Sequence, residues 1–245
     1  TKMEGRTPQI SIPGMKFHAY TQREPIGVVA QIVPWNGPLV MAAWKLAPAL
    51  AAGCTCVFKP AEQTPMSTLL LGELFEQAGF PPGVVNIVTG DGRTGAALAE
   101  HPGVDKIAFT GSSATARKII MEASGNLKKV SLELGGKSPV IVFADANLEQ
   151  AIPGAAEAIF SNAGQVCVAG SRLLVERPVF EQVVEGVSKI AKSLKLGSGF
   201  DPESQMGPLI SEEHRNHVHS IVESGVLDGV EALCGGRHCS GAGYF

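Results

Sequence analysis

The stretch IGVVAQIVPWNGPLVMAAWKLAPALAAGCTCVFK, residues 26–59, decides the fold. Its first eight residues are rich in β-branched side chains and carry no charge, as a strand buried on both faces requires. LVMAAWKLAPALAA (39–52) has helical character, although Pro48 should kink or shorten the helix by removing a donor and crowding the preceding turn. CTCVFK (54–59) returns to strand. The same alternation continues downstream. A helix is expected over 65–79, starting on Pro65 and stopping at Gly79, then strand 84–89, helix 93–101, strand 105–110, helix 113–124 and strand 128–134. Alternation of this length implies right-handed crossovers and a mostly parallel sheet covered on both faces, hence an α/β fold.

After GGK (135–137) the pattern restarts: a strand in SPVIVF, a helix from about Asn147 to Phe160, a turn around Cys167, strand 172–176 and helix 178–194. Two domains are therefore expected, 1–135 and 136–245. Residues 1–16 form a polar, Gly/Pro-punctuated arm. GYF (243–245) has the character of a strand just beginning, so the expectation is an internal fragment of a longer protein.

Composition narrows the chemistry. Among 245 residues 18% are charged and the net charge is −3, with no long basic run. Nucleic acid and an anionic membrane surface are thus poor partners. No apolar run reaches the roughly 18 residues of a membrane span, and no secretory leader pattern opens the chain. Five cysteines (Cys54, Cys56, Cys167, Cys234, Cys239) form no disulfide framework and no metal-ligand spacing, so a reducing, cytoplasmic setting without bound metal is expected.

Three turns could meet a phosphate or a ribose. GDGRTG (90–95) matches G-x-G-x-x-G after a strand and at a helix start, but the acidic residue expected about 20 positions on is missing, Asp105 coming too early. FTGSS (109–113) also joins a strand end to a helix start, where Gly111 permits close approach and free N–H groups can meet an anion. KPAEQTP (59–65) puts Lys59 and Glu62 just past a strand end, where open parallel sheets bind ligands. A carboxylate there can accept from a ribose diol and would repel a 2′-phosphate. Lastly, NAGQVCVAGSR (162–172) sets one thiol among small and polar residues, in a turn whose N–H groups can point at a reacting atom.

PWNGP (34–38), KPAEQTP, FTGSS, LELGGKSP (132–139) and NAGQVCVAGSR occur together in the order and spacing of the NAD(P)-dependent aldehyde dehydrogenase superfamily, and the resemblance extends over essentially the whole chain. It implies a Rossmann-like cofactor domain followed by an α/β catalytic domain, truncated at both ends. It implies oxidation of an aldehyde to a carboxylic acid with NAD, and NADP as the lesser alternative. Cys167 would be the nucleophile, Glu133 the base that activates water, and the Asn36 amide with the Cys167 N–H the oxyanion donors. Ile32, Pro34, Trp35, Lys59, Glu62, Gly92, Gly95, Phe109, Thr110, Gly111 and Ser112 would surround the cofactor. Gly37, Met41, Trp44 and Phe160 would line the aldehyde tunnel, with Met41 and Trp44 on one helix face.

The chain departs from the family in small residues. Gly37 stands where an aromatic commonly follows PWN, Ala116 where glycine is usual, and Ser161 and Ala163 replace bulkier neighbours of the nucleophile. Gly37, Ser161 and Ala163 leave room for a bulky, arylacetaldehyde-like substrate. A homodimer or homotetramer is implied for the parent protein. Other readings are a CoA-acylating aldehyde dehydrogenase, a cysteine hydrolase or thioesterase, and a catalytically inactive structural protein. Acylating members tend to lack the base that Glu133 supplies, no histidine partner for Cys167 can be argued, and a retired site need not keep Cys167, Glu133 and Asn36 together.

Overall fold

The computed structural model describes residues 3–239, 241 and 243–245. The chain divides into two compact units, Thr1–Leu134 and Gly135–Phe245. The first is built on five parallel strands: β1 (Val28–Ile32), β2 (Thr55–Lys59), β3 (Val85–Ile87), β4 (Lys106–Gly111) and β5 (Lys129–Leu134). Their order is β3-β2-β1-β4-β5, so the winding reverses between β1 and β4. Crossovers run through α1 (Pro38–Ala51), α2 (Met66–Gln77), α3 (Gly92–Glu100) and α4 (Ser113–Ala123).

The alternation of side chains along each strand sorts them between two faces. Ala30, Ile32, Ile107 and Phe109 form one core with Ala99 of α3 and Ala116, Ile119 and Ala123 of α4, joined by Val130, Leu132 and Leu134 of β5. Cys56 and Phe58 form the other with Val33 and with Met41, Ala42 and Leu46. Phe58 and Ile107 are fully buried, each contributing roughly 1.5–3 kcal/mol by leaving water. Lys128 closes the carboxyl end of α3, its Nζ donating to the carbonyls of Ala99 (2.6 Å) and His101 (2.9 Å). Burial holds this ammonium's pKa below its ordinary value.

Helix α1 does not stop or shorten at Pro48; it continues to Ala51. The carbonyl that Pro48 leaves without a helical donor belongs to Trp44, which is 67% exposed, so water can satisfy it. Asp105 hydrogen-bonds the Val28 N–H at 2.8 Å, at the amino end of the sheet, opposite the end where ligands bind.

The second unit holds a two-stranded parallel sheet of β6 (Pro139–Val142) and β7 (Arg172–Val175). α5 (Leu148–Phe160) lies between them in sequence and packs on α6 (Phe180–Ser193), where Gly186 lets Ile152 approach and Val183 is fully buried. α7 (Glu212–Leu227) is a helix beyond those expected from the sequence. GYF forms no strand; the Tyr244 carbonyl accepts from the Leu209 N–H and the Phe245 carbonyl from the Cys239 N–H. Residues 3–16 form no helix or strand, and Cys234 and Cys239 lie in irregular, exposed chain.

Candidate functional site

The reversal between β1 and β4 opens a cavity of about 840 Å³ at the carboxyl ends of the strands. Open parallel sheets bind ligands at this kind of position. All of Ile32, Pro34, Trp35, Lys59, Glu62, Gly92, Gly95, Phe109, Thr110, Gly111 and Ser112 line it. Lys59 is buried, donates to the Pro60 carbonyl at 3.1 Å and stands 3.8 Å from the half-exposed Glu62 carboxylate.

Two helices begin at this cavity, and they differ. At α3 the Asp91 carboxylate accepts from the Arg93 N–H and pairs with its guanidinium, and these bonds hold Asp91 below the usual carboxylate range. The positive end of α3 therefore already faces an anion. At α4 the cap is the neutral Ser112 hydroxyl, accepting from Thr115 N–H at 3.2 Å. That helix keeps its dipole uncompensated for an incoming phosphate.

A second cavity, about 650 Å³, lies over the face of β4 and β5 turned away from α3 and α4. Alternation along β5 gives Val130, Leu132 and Leu134 to the core and Ser131 and Glu133 to this cavity. Met41 and Trp44 line it too, sharing one side of α1 as their spacing required. Thr110, in register with Glu133 across the β4–β5 pair, lines both cavities. Its Oγ1 is buried and has no hydrogen-bond partner among the described residues. Glu133 thus sits beside the cofactor-sized cavity, one strand away from its wall.

Lys45 completes this arrangement and was not singled out by the motifs. Burial lowers its pKa, opposed by attraction to Glu133 and reinforced by Lys106. Its backbone carbonyl accepts from Gln31 Nε2 at 2.9 Å, which pins α1 to the buried central strand. The available signal was spacing: Lys45 follows Met41 by four residues and so occupies the same helical side. Asn36 and Gly37 form the turn from β1 into α1, where Gly37 is the residue before the helix. A Cβ on Gly37 would meet only Val40, at 3.8 Å.

In the second unit, α5 ends at Phe160 and the chain makes a tight turn toward Cys167. Asn162 (φ 50°), Ala163 (φ 55°) and Gly164 (φ 74°) are left-handed in succession. For Ala163 this conformation costs about 1–2 kcal/mol, since its Cβ crowds the following carbonyl. Cys167 is half-buried and its N–H finds no acceptor among the described residues, so it can donate to a reacting oxygen. Gly136 comes so close that a Cβ there would stand 3.0 Å from the Cys167 carbonyl oxygen. Arg172 of the nucleophile motif donates from Nε to the Lys137 carbonyl at 2.7 Å, tying AGSR to GGKSP. Phe160 lines a cavity of about 480 Å³ in this unit.

The other cysteines are of a different kind. Cys54 and Cys56 are buried free thiols, and burial with Cys54 nearby pushes Cys56 up to about 11. It stays protonated and unreactive at neutral pH. Among the described residues no group of three His, Cys, Asp or Glu side chains could hold a metal ion, and no helix is long and apolar enough to cross a membrane.

Comparison with known proteins places this geometry in a family. Residues 1–245 match the profile of the aldehyde dehydrogenase family. Human retinal dehydrogenase 2 is 51% identical over 247 residues, covering 100% of this chain and 47% of its own length. Phenylacetaldehyde dehydrogenase of Pseudomonas fluorescens is 50% identical over 250 residues, covering 100% and 50%. The NAD+ complex of the aldehyde dehydrogenase from Bacillus cereus superposes with a TM-score of 0.94 at 48% identity, covering 100% of this chain and 49% of that one. The chain spans about half the length of these relatives. With its motifs matched along the whole of its length, this chain belongs to the aldehyde dehydrogenase family.

Proposed function

We propose that the protein oxidises an aldehyde to a carboxylic acid with reduction of NAD. The observation that carries this reading is the cavity at the β1–β4 reversal, with Glu133 on the neighbouring strand. The cavity suits a dinucleotide in size, in the neutrally capped α4 N-terminus, whose dipole is uncompensated, and in the buried, unpaired Thr110 hydroxyl. Lys59 and Glu62 would hold the adenosine ribose, and Gly111 with Ser112 the pyrophosphate. A carboxylate at Glu62 favours NAD over NADP. When bound, NAD supplies the hydride acceptor.

The chain's own residues supply the rest. The Cys167 thiolate attacks the aldehyde carbon to give a thiohemiacetal, whose oxyanion is held by the Cys167 N–H and the Asn36 amide. Loss of hydride leaves a thioester on Cys167. Glu133 takes a proton from water, the hydroxide adds to the thioester carbonyl, and the carboxylic acid leaves as the thiolate is restored. Small residues at Gly37, Ser161 and Ala163 favour a bulky, aryl-bearing aldehyde. The working form is a homodimer or homotetramer in the cytoplasm.

The test follows NADH absorbance on mixing the 245-residue chain with NAD and phenylacetaldehyde. A burst that Cys167→Ala abolishes, and that Glu133→Gln retains while steady turnover falls, is the expected result. A burst unaffected by Cys167→Ala overturns the assignment of the nucleophile.

A further inference from the structure

The nucleophile turn is bound to a distant part of its own unit through one side chain. Gln165, two residues before Cys167, uses both ends of its amide. Its Nε2 donates to the Asn162 carbonyl at 3.1 Å, and its Oε1 accepts from the Ile210 N–H at 3.0 Å. The Asn162 side chain answers by donating from Nδ2 to the Gln165 carbonyl at 3.3 Å. The amide orientation follows from its partners: an N–H must meet the oxygen and a carbonyl must meet the NH₂, and reversal would spoil both bonds.

These bonds span the left-handed run Asn162–Ala163–Gly164, together with the backbone bonds from the Gln165 N–H to the Asn162 carbonyl (3.1 Å) and from the Val166 N–H to the Gly164 carbonyl (2.9 Å). The Ile210 bond ties the run to the start of α7, because Ile210 precedes Ser211, whose hydroxyl caps that helix at the His214 N–H. The segment Gln205–Pro208 just before it shares the 480 Å³ cavity with Phe160, Asn162 and Ala163.

We infer that Gln165 is a positioning residue for Cys167: it clamps the strained turn to the head of α7 and so fixes where the thiol and the Cys167 N–H point relative to one another. This rests on the reading of Cys167 as nucleophile. Acylation needs the sulfur attack and the oxyanion N–H aligned on one carbonyl, whereas alkylation needs only an accessible thiolate. Loss of the clamp therefore separates the two reactions.

The test compares the parent chain with Gln165→Met, which keeps size and loses both bonds, and Gln165→Glu, which keeps the acceptor for Ile210. Acylation is read as the p-nitrophenol burst from p-nitrophenyl acetate, and alkylation as the iodoacetamide rate at Cys167 resolved by mass spectrometry. Gln165→Met is expected to slow the burst about tenfold while alkylation stays within about twofold, and Gln165→Glu to recover part of the burst. A burst unchanged in Gln165→Met overturns the positioning role alone. Faster alkylation in step with a lost burst also overturns it, since that is simple loosening of the fold. A parent chain with no Cys167-dependent burst overturns the nucleophile reading itself.

Discussion

Replacing Gly136 by alanine should destabilise the second unit and disturb the Cys167 turn through one atom. The added Cβ would stand 3.0 Å from the Cys167 carbonyl oxygen, where ordinary contact begins at 3.4 Å, so about 0.4 Å must be found. The neighbour is backbone, so no flexible side chain can swing away, and the turn itself must move. Inserting a methyl group into such a contact costs roughly 1–3 kcal/mol; the small displacement points to about 1 kcal/mol. Gly154→Ala provides the control. That glycine lies within α5 with nothing inside 4 Å of the new Cβ, so the same chemical change should stabilise by up to about 1 kcal/mol. The two variants should thus differ by about 2 kcal/mol in opposite directions. Both tryptophans, Trp35 and Trp44, lie in the first unit, so their fluorescence would miss the effect. Urea unfolding followed by hydrogen exchange of peptides from 135–245 reads it directly. Gly136→Ala as stable as the parent, with the iodoacetamide rate at Cys167 unchanged, would refute the argument.

Lys45→Met tests the charge beside Glu133. Because burial lowers the Lys45 pKa, the unfolded chain binds the proton more tightly, and parental stability should climb as pH rises from that lowered value to the ordinary 10.5. In Lys45→Met the urea midpoint should lose this climb; an identical climb in both chains would contradict it. Ser112→Ala removes the α4 cap and should cost about 1 kcal/mol in unfolding of the first unit, while weakening NAD binding measured by calorimetry. Unaltered stability would show that the Thr115 N–H finds another acceptor.

The sheet could be read from the sequence because strand and helix patterns alternate along the first unit, and β4 and β5 repeat one rule, apolar to the α3–α4 core and polar or small to the other face. That rule alone puts Glu133 on the open side of β5. The helix α7 was passed over although Val218, Ile221, Val222 and Val226 recur at helical spacing; the stripe is short and set among polar residues, and none of it is buried. Its marks were the Ser211 cap and the acidic first turn of Glu212 and Glu213. Pro48 did not shorten α1, which runs on to Ala51. The left-handed turn before Cys167 was only partly legible. Gly164 announces such a conformation, but Ala163 does not, and it is held there by Gln165 and Ile210 from far along the chain. Gln165 and Lys45 share this property: their roles depend on partners that sequence spacing does not bring together.

The small sheet of β6 and β7 has a consequence for how the chain is made. Two parallel strands are not stable by themselves, and among the described residues each pairs on one side only. The outer N–H and C=O groups of both strands are ready to receive another strand. Residues 139–142 emerge in synthesis before 172–175, so β6 must wait through the whole of α5 for its neighbour. During that wait the same groups can capture the β6 of another nascent copy. Slow, dilute synthesis favours the folded chain and crowded synthesis favours aggregate, a competition decided before any measure of native stability applies.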